Sequence, residues 1–303
     1  PPPPPFQAED GIRDSVNGLV GSEMCIRDRN TLFLAEMLRE PFLRYALVAG
    51  LLAGSVCAFL GVYVILRRIV FLGVALSEAA ALGVALGLFL GWNPEAAAAG
   101  LTLLTALLLS LAGRYRALSQ ESLIGWAYVV ASGVAIILIA KNPVAEAHGL
   151  DVVSGSLLYA SGREIWQLGI LAGVVLLIFI ALHRIFIFVS FDKETARSMG
   201  LNTSLYEFGF YACLGLSISL AMKTAGILFV FASLLIPGMI SLSLVRRLWL
   251  ILLGAVLVVV VCVPVGIGLS YRADLPTGPA VVCAYAALVL LASAAGATYR
   301  WLR

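Results

Sequence analysis

From Phe42 onward the chain alternates long apolar runs with short polar breaks. Each run approaches the 20 or so residues that a helix needs to cross about 30 Å of hydrocarbon. The pattern predicts nine spans, at residues 42–66, 70–90, 96–112, 123–140, 165–182, 205–221, 226–244, 250–269 and 279–295. If the first lies along the membrane surface, eight remain. One polar break stands out: residues 190–201 read SFDKETARSMGL, longer than a plain connector needs. Asp192 can cap the free N–H groups of a first turn, and Gly200 can take the left-handed conformation that ends a helix. The stretch predicts a short surface helix, either an ordinary solvated loop helix or a docking surface for something outside the membrane.

Composition fixes the class. Of the 303 residues 61% are hydrophobic and 12% charged, where soluble domains carry roughly 25% charge, and mean hydropathy is +1.02. The expected fold is an all-α polytopic membrane protein, its spans forming one domain over residues 37–303. The net charge of +3 is spread over the breaks and offers no nucleic-acid surface. Cys57, Cys213, Cys262 and Cys283 lie inside apolar runs without CxxC or Cys/His spacing, and read as small packing residues. His148 and His183 alone cannot make an all-histidine metal site within one chain. With no HExxH motif and no Gly-x-x-x-x-Gly-Lys-Ser/Thr loop, any ATP used must be bound by another polypeptide. No nucleophile and base pair supports an intramembrane enzyme.

Residues 1–29 differ from the rest. A homopolymer, Pro1 to Pro5, precedes Phe6-Gln7-Ala8-Glu9-Asp10, with neither a signal-peptide core nor transit-peptide composition. The stretch reads as a non-native, adapter-like translated leader joined to a chain that starts near Met37, the alternative being a genuine disordered leader. Placing 190–201 inside leaves eleven Lys and Arg on the cytoplasmic side, Arg67, Arg68, Arg246 and Arg247 among them, against six outside. That asymmetry predicts a cytoplasmic C-terminus.

Small residues four apart, Gly50 with Gly54 and Gly83 with Gly87 and Gly91, predict tight helix crossings. Pro237 and Pro264 fall inside the seventh and eighth spans and predict a kink or helix break. Two external segments, 141–164 and 271–279, occupy matching places in the two halves and suggest an internal structural repeat.

Residues 61–80 (GVYVILRRIVFLGVALSEAA), 190–200 (SFDKETARSMG), 226–237 (GILFVFASLLIP) and 274–279 (DLPTGP), in that order, resemble the permease subunits of bacterial zinc, manganese and iron ABC importers. The resemblance covers the chain from about Phe42 to its end. It implies a type II importer-like permease in the bacterial cytoplasmic membrane, a transport subunit and not an enzyme. The implied assembly has two permease copies in lipid, a cytoplasmic ABC ATPase dimer that binds ATP, and an extracytoplasmic metal-binding protein that delivers a divalent metal ion. On this likeness 190–201 is the coupling helix, with Ser190, Phe191, Asp192, Glu194, Ala196 and Gly200 at the ATPase contact.

The second span departs from the family pattern. Manganese and zinc members commonly carry Gly-Asp-Ala-Leu-Ser-His, an aspartate and a histidine one helical turn apart. Here residues 73–78 read Gly-Val-Ala-Leu-Ser-Glu, so Val74 replaces one ligand and Glu78 the other. An ionisable side chain in an apolar span faces a cavity or a partner. Glu78, with Ser77 beside it, is therefore either a pathway carboxylate and metal ligand or a helix-end glutamate neutralised by Arg67 or Arg68. Asp274 at the external mouth either attracts cations or caps the turn at Pro276. The expected function is ATP-driven import of a divalent transition-metal ion. The rivals are a permease for a chelated metal or other small cargo, and a gradient-driven secondary transporter. The latter is disfavoured by a lone intramembrane carboxylate, since gradient coupling normally needs several buried polar groups.

Overall fold

The computed structural model describes residues 41–112, 119–141, 157, 160–191, 193–273 and 275–301. They belong to one compact unit, 40–303. The expected leader at 1–29, Asp192 and Asp274 lie outside the described residues, as do the side chains of Ser190, Phe191 and Glu194. The described residues form α1 (Pro41–Leu66), α2 (Val70–Leu90), α3 (Pro94–Ala112), α4 (Gln120–Ala140), α5 (Gly162–Phe191), α6 (Lys193–Ser198), α7 (Thr203–Ala225), α8 (Ile227–Leu244), α9 (Leu248–Ala273) and α10 (Thr277–Trp301). Eight of these are long and apolar enough to cross a membrane, and α10 adds the shorter apolar stretch Thr277–Leu291.

The bundle is organised around α1, which packs against α5, α7, α8 and α9. Leu43, Ala46, Ala49, Leu60, Val62, Tyr63 and Val64 are all buried, so α1 is not the surface helix that an eight-span topology would need. Its glycines set the crossings. A Cβ on Gly50 or Gly54 would stand 3.0 or 2.8 Å from Val263 or Val259 of α9, and one on Gly61 would stand 1.8 Å from the Leu234 carbonyl oxygen of α8. Gly83 and Gly87 give α2 the same intimacy with α3, at 2.5 Å from Ala98 and 2.9 Å from Pro94. Gly91 leaves that stripe: its φ of 70° makes it the left-handed cap of α2.

Helix starts follow from side-chain caps. Asn93 Oδ1 accepts from the Glu95 N–H at 3.0 Å, so α3 begins at Pro94, ahead of the first purely apolar residue. Ser119 accepts from the Ser122 N–H at 3.1 Å and starts α4. Ser161 and Glu164 form a reciprocal pair: the Ser161 N–H donates to the Glu164 carboxylate at 2.9 Å, and the Glu164 N–H to Ser161 Oγ at 3.4 Å. Beside them, Lys223 at the end of α7 bridges Glu95 at 2.6 Å and Glu164 at 3.0 Å, tying the starts of α3 and α5 to the end of α7.

Two expectations change, and one helix outlasts its span. The fifth span ends at 182 as expected, but α5 continues nine residues beyond it, because the apolar pattern resumes after Arg184 and Phe186 stacks on Phe179 at 4.8 Å. Of the kink or break expected at Pro237 and Pro264, the break is absent, since α8 and α9 run through them. Each proline removes a single hydrogen bond, and close helix contacts hold the segments in place: Gly238 meets Ile65 and Val62, and Gly266 meets Val281. Cys57, Cys213 and Cys262 are buried as packing residues, whereas Cys283 is exposed.

Candidate translocation stripe and docking helix

Helix α2 is divided lengthwise. Leu72, Gly73, Leu76, Ser77 and Ala80 face the bundle, while Phe71, Val74, Glu78 and Leu82 form a partly exposed stripe at helical spacing. Glu78 lies eight residues, about 12 Å, along α2 from its first residue. It is half-buried, and its carboxyl group is within hydrogen-bonding reach of Ser132 on α4. Its neighbour Ser77 is separated from it. Ser77 is 5% exposed and its hydroxyl donates to the Val74 carbonyl at 2.8 Å, so it faces the bundle and not the stripe that carries Glu78.

The helix-end reading of Glu78 is also corrected. Arg67 lies over the Phe210 ring at 4.2 Å and in the electrostatic reach of Tyr211, Glu207 and Tyr63, all away from Glu78. Arg68 is exposed, at a left-handed φ of 58° that turns the chain from α1 into α2. Glu207, 7% exposed on α7, shows that Glu78 is not the lone carboxylate of the apolar segments. The signal for it was present: an acid four residues before Tyr211 near the start of a span. It lies within electrostatic reach of Arg67. Among the described residues, no three His, Cys, Asp or Glu side chains converge.

At the turn between α9 and α10, Ser270 Oγ donates to the Leu275 carbonyl at 2.5 Å. Thr277 Oγ1 accepts from the Leu157 N–H at 3.3 Å, and Leu157 is fully buried beside Gly50. Of the two segments singled out in the sequence, 141–164 and 271–279, one described residue of each is thus in contact with the other.

On the opposite side, α6 follows α5 after a single residue. Ala196 is 0% exposed and seats the helix on the bundle, whereas Thr195, Ser198 and the 69% exposed Met199 face outward. Gly200 has φ 80°, and the Leu201 N–H reaches back to the Ala196 carbonyl at 3.1 Å, a left-handed helix end. Residues 39–296 match the ABC 3 transport family.

The chain belongs to the ABC 3 transport family. It is 28% identical over 262 residues to the manganese transport system membrane protein MntC of Halalkalibacterium halodurans, covering 86% of this chain and 90% of that one. It is 27% identical over 265 residues to the chelated iron transport system membrane protein YfeD of Yersinia pestis, covering 87% and 89%. The fold matches PsaBC from Streptococcus pneumoniae, solved in complex with Fab, with TM-score 0.75 at 22% identity over 86% of this chain and 94% of that one. This ABC 3 member is therefore a multi-pass membrane permease, and its relatives transport metals.

Proposed function

We propose that this permease carries a divalent transition-metal ion, zinc, manganese or iron(II), inward through the bacterial cytoplasmic membrane, driven by ATP hydrolysed on a partner subunit. The observation that carries this reading is Glu78: a half-exposed carboxylate, within reach of Ser132, in an apolar span. Facing lipid, such a group costs a few kcal/mol. A water-filled path completed by a second copy of the chain removes that cost and gives the ion an oxygen ligand. The outward face of α6 suits a cleft in a cytoplasmic ATPase dimer, and the opposite mouth receives the ion from an extracytoplasmic binding protein. The chain supplies the path and a moving docking helix, and performs no hydrolysis itself.

A second reading concerns the cargo. Val74 and Glu78 replace the aspartate and histidine common at these positions, which favours a less tightly coordinated cargo such as a chelated metal. Reconstitution of the permease with its ATPase in proteoliposomes decides between them. ATP-dependent uptake of free Mn2+, Zn2+ or Fe2+ supports the ion, and uptake of the chelate alone supports the second reading. Transport that follows an ion gradient without ATP refutes both.

A further inference from the structure

The cytoplasmic half of the bundle holds an aromatic block that no transport step described so far uses. α5 leads into the docking helix, and within its last turns Phe186 stacks on Phe179. Phe179 lies 5.0 Å from Tyr63 of α1 and 6.2 Å from Phe210 of α7, ring centroid to centroid. Close-packed rings shift as a unit between discrete arrangements and do not compress. A displacement of α6 therefore moves the adjoining parts of α1, α5 and α7 together.

Two consecutive residues of α7 connect this block outward. Phe210 lies beneath the Arg67 guanidinium at the turn into α2. Tyr211, 1% exposed, accepts a hydrogen bond from Gln120 Nε2. Gln120 is the first residue of α4, a helix that packs on α2 and α3, so this bond joins α4 to α7. Twelve residues further along, about 18 Å, α4 presents Ser132 to Glu78. A rigid helix gripped at its first residue shifts Ser132 when that grip moves.

We propose that Gln120 and Tyr211 are positioning residues, whose hydrogen bond passes the displacement of the docking helix from the aromatic block to α4 and so sets whether Ser132 stands against Glu78. This deepens the transport reading above and rests on it. Its distinctive consequence is uncoupling: without the bond, the ATPase still docks and turns over, but Glu78 no longer changes surroundings in step.

The test uses the full permease–ATPase complex in proteoliposomes, with ATP hydrolysis and Mn2+ uptake read from the same vesicles. Tyr211→Phe keeps the ring and removes the accepting oxygen. Gln120→Leu removes the donor from the other side of the bond. Each is expected to hold ATP turnover within about twofold of wild type while uptake per ATP falls at least about fivefold, and the double variant is expected to fall no further than either single one. Unchanged uptake per ATP in either variant overturns the link. So do losses that add in the double variant and track a lowered melting temperature, which would mark a structural role. A wild-type complex that takes up Mn2+, Zn2+ and Fe2+ no faster with ATP overturns the transport reading itself, and this link with it.

Discussion

Replacing Gly200 isolates the backbone of the docking helix from everything else. Its φ is 80°, and a Cβ built there meets nothing within 4 Å, so no steric clash enters the cost. What remains is the intrinsic penalty of holding an L-residue in the left-handed region, about 1–2 kcal/mol, with a β-branched valine at the upper end. Gly200 is exposed and follows a helix of six residues, so the strain is relieved by unwinding α6 locally and leaves the spans intact. The loss should therefore fall on ATPase docking. One to two kcal/mol corresponds to a factor of about 5–30, and Gly200→Val is expected to weaken the ATPase for the detergent-solubilised permease by that factor. Gly200→Asn, which enters the left-handed region readily, should stay within about twofold. The assay is a titration of labelled ATPase, with thermal unfolding of the permease in parallel. Equal weakening by valine and asparagine would refute the backbone explanation. Wild-type affinity in both would remove this segment from the contact.

Other outcomes test the remaining claims. Glu78→Gln should abolish most ATP-dependent metal uptake per folded molecule, and Glu78→His combined with Val74→Asp should shift preference toward ions that favour nitrogen ligands; full uptake with unchanged preference in Glu78→Gln would take Glu78 off the path. Gly61→Ala forces a methyl to within 1.8 Å of the Leu234 carbonyl oxygen, so α1 and α8 must separate. A loss of about 1–3 kcal/mol is expected, checked by thermal unfolding, and an unchanged melting temperature would contradict so close a crossing. Lys223→Ala should lower stability by less than about 1 kcal/mol, since its ion pairs are partly exposed; a larger loss in the same assay would show this staple to be structural. In a variant with Cys283 replaced, Ser198→Cys should be shielded from an impermeant external thiol reagent and Trp92→Cys should react, and the reverse would invert the topology.

The spans were legible because lipid leaves a helix few alternatives: a run of about 20 apolar residues satisfies its own backbone. Their ends were less so. Asn93, Ser119 and the Ser161–Glu164 pair extend three helices by capping, a signal written in polar residues at the margins of the runs. The fifth span ends at 182 as its apolar run does, but α5 continues to 191 because the apolar sequence beyond Arg184 packs against the aromatic block, a continuation that a span count does not register. Glu78 stood out as an acid in a helix of apolar residues, yet its partner did not. Ser132 lies 54 positions away, and Gln120 and Tyr211 are 91 apart, so only the tertiary packing of α4 brings either pair together. The left-handed end at Gly200 depends on one residue type in one local context, and the sequence reports it directly.

The crossing of α1 on α8 bears on how the chain is made. Gly61 is translated about 170 residues before Leu234. At 5–20 residues per second, α1 spends roughly 10–30 s in the membrane before the backbone it must touch has emerged from the ribosome. During that interval its glycine faces at 50, 54 and 61 are open to any helix that tolerates close approach. Slowing synthesis between α7 and α8 would lengthen the exposure, and a neighbouring nascent permease, carrying the same small-residue faces, is the partner most available for mispairing.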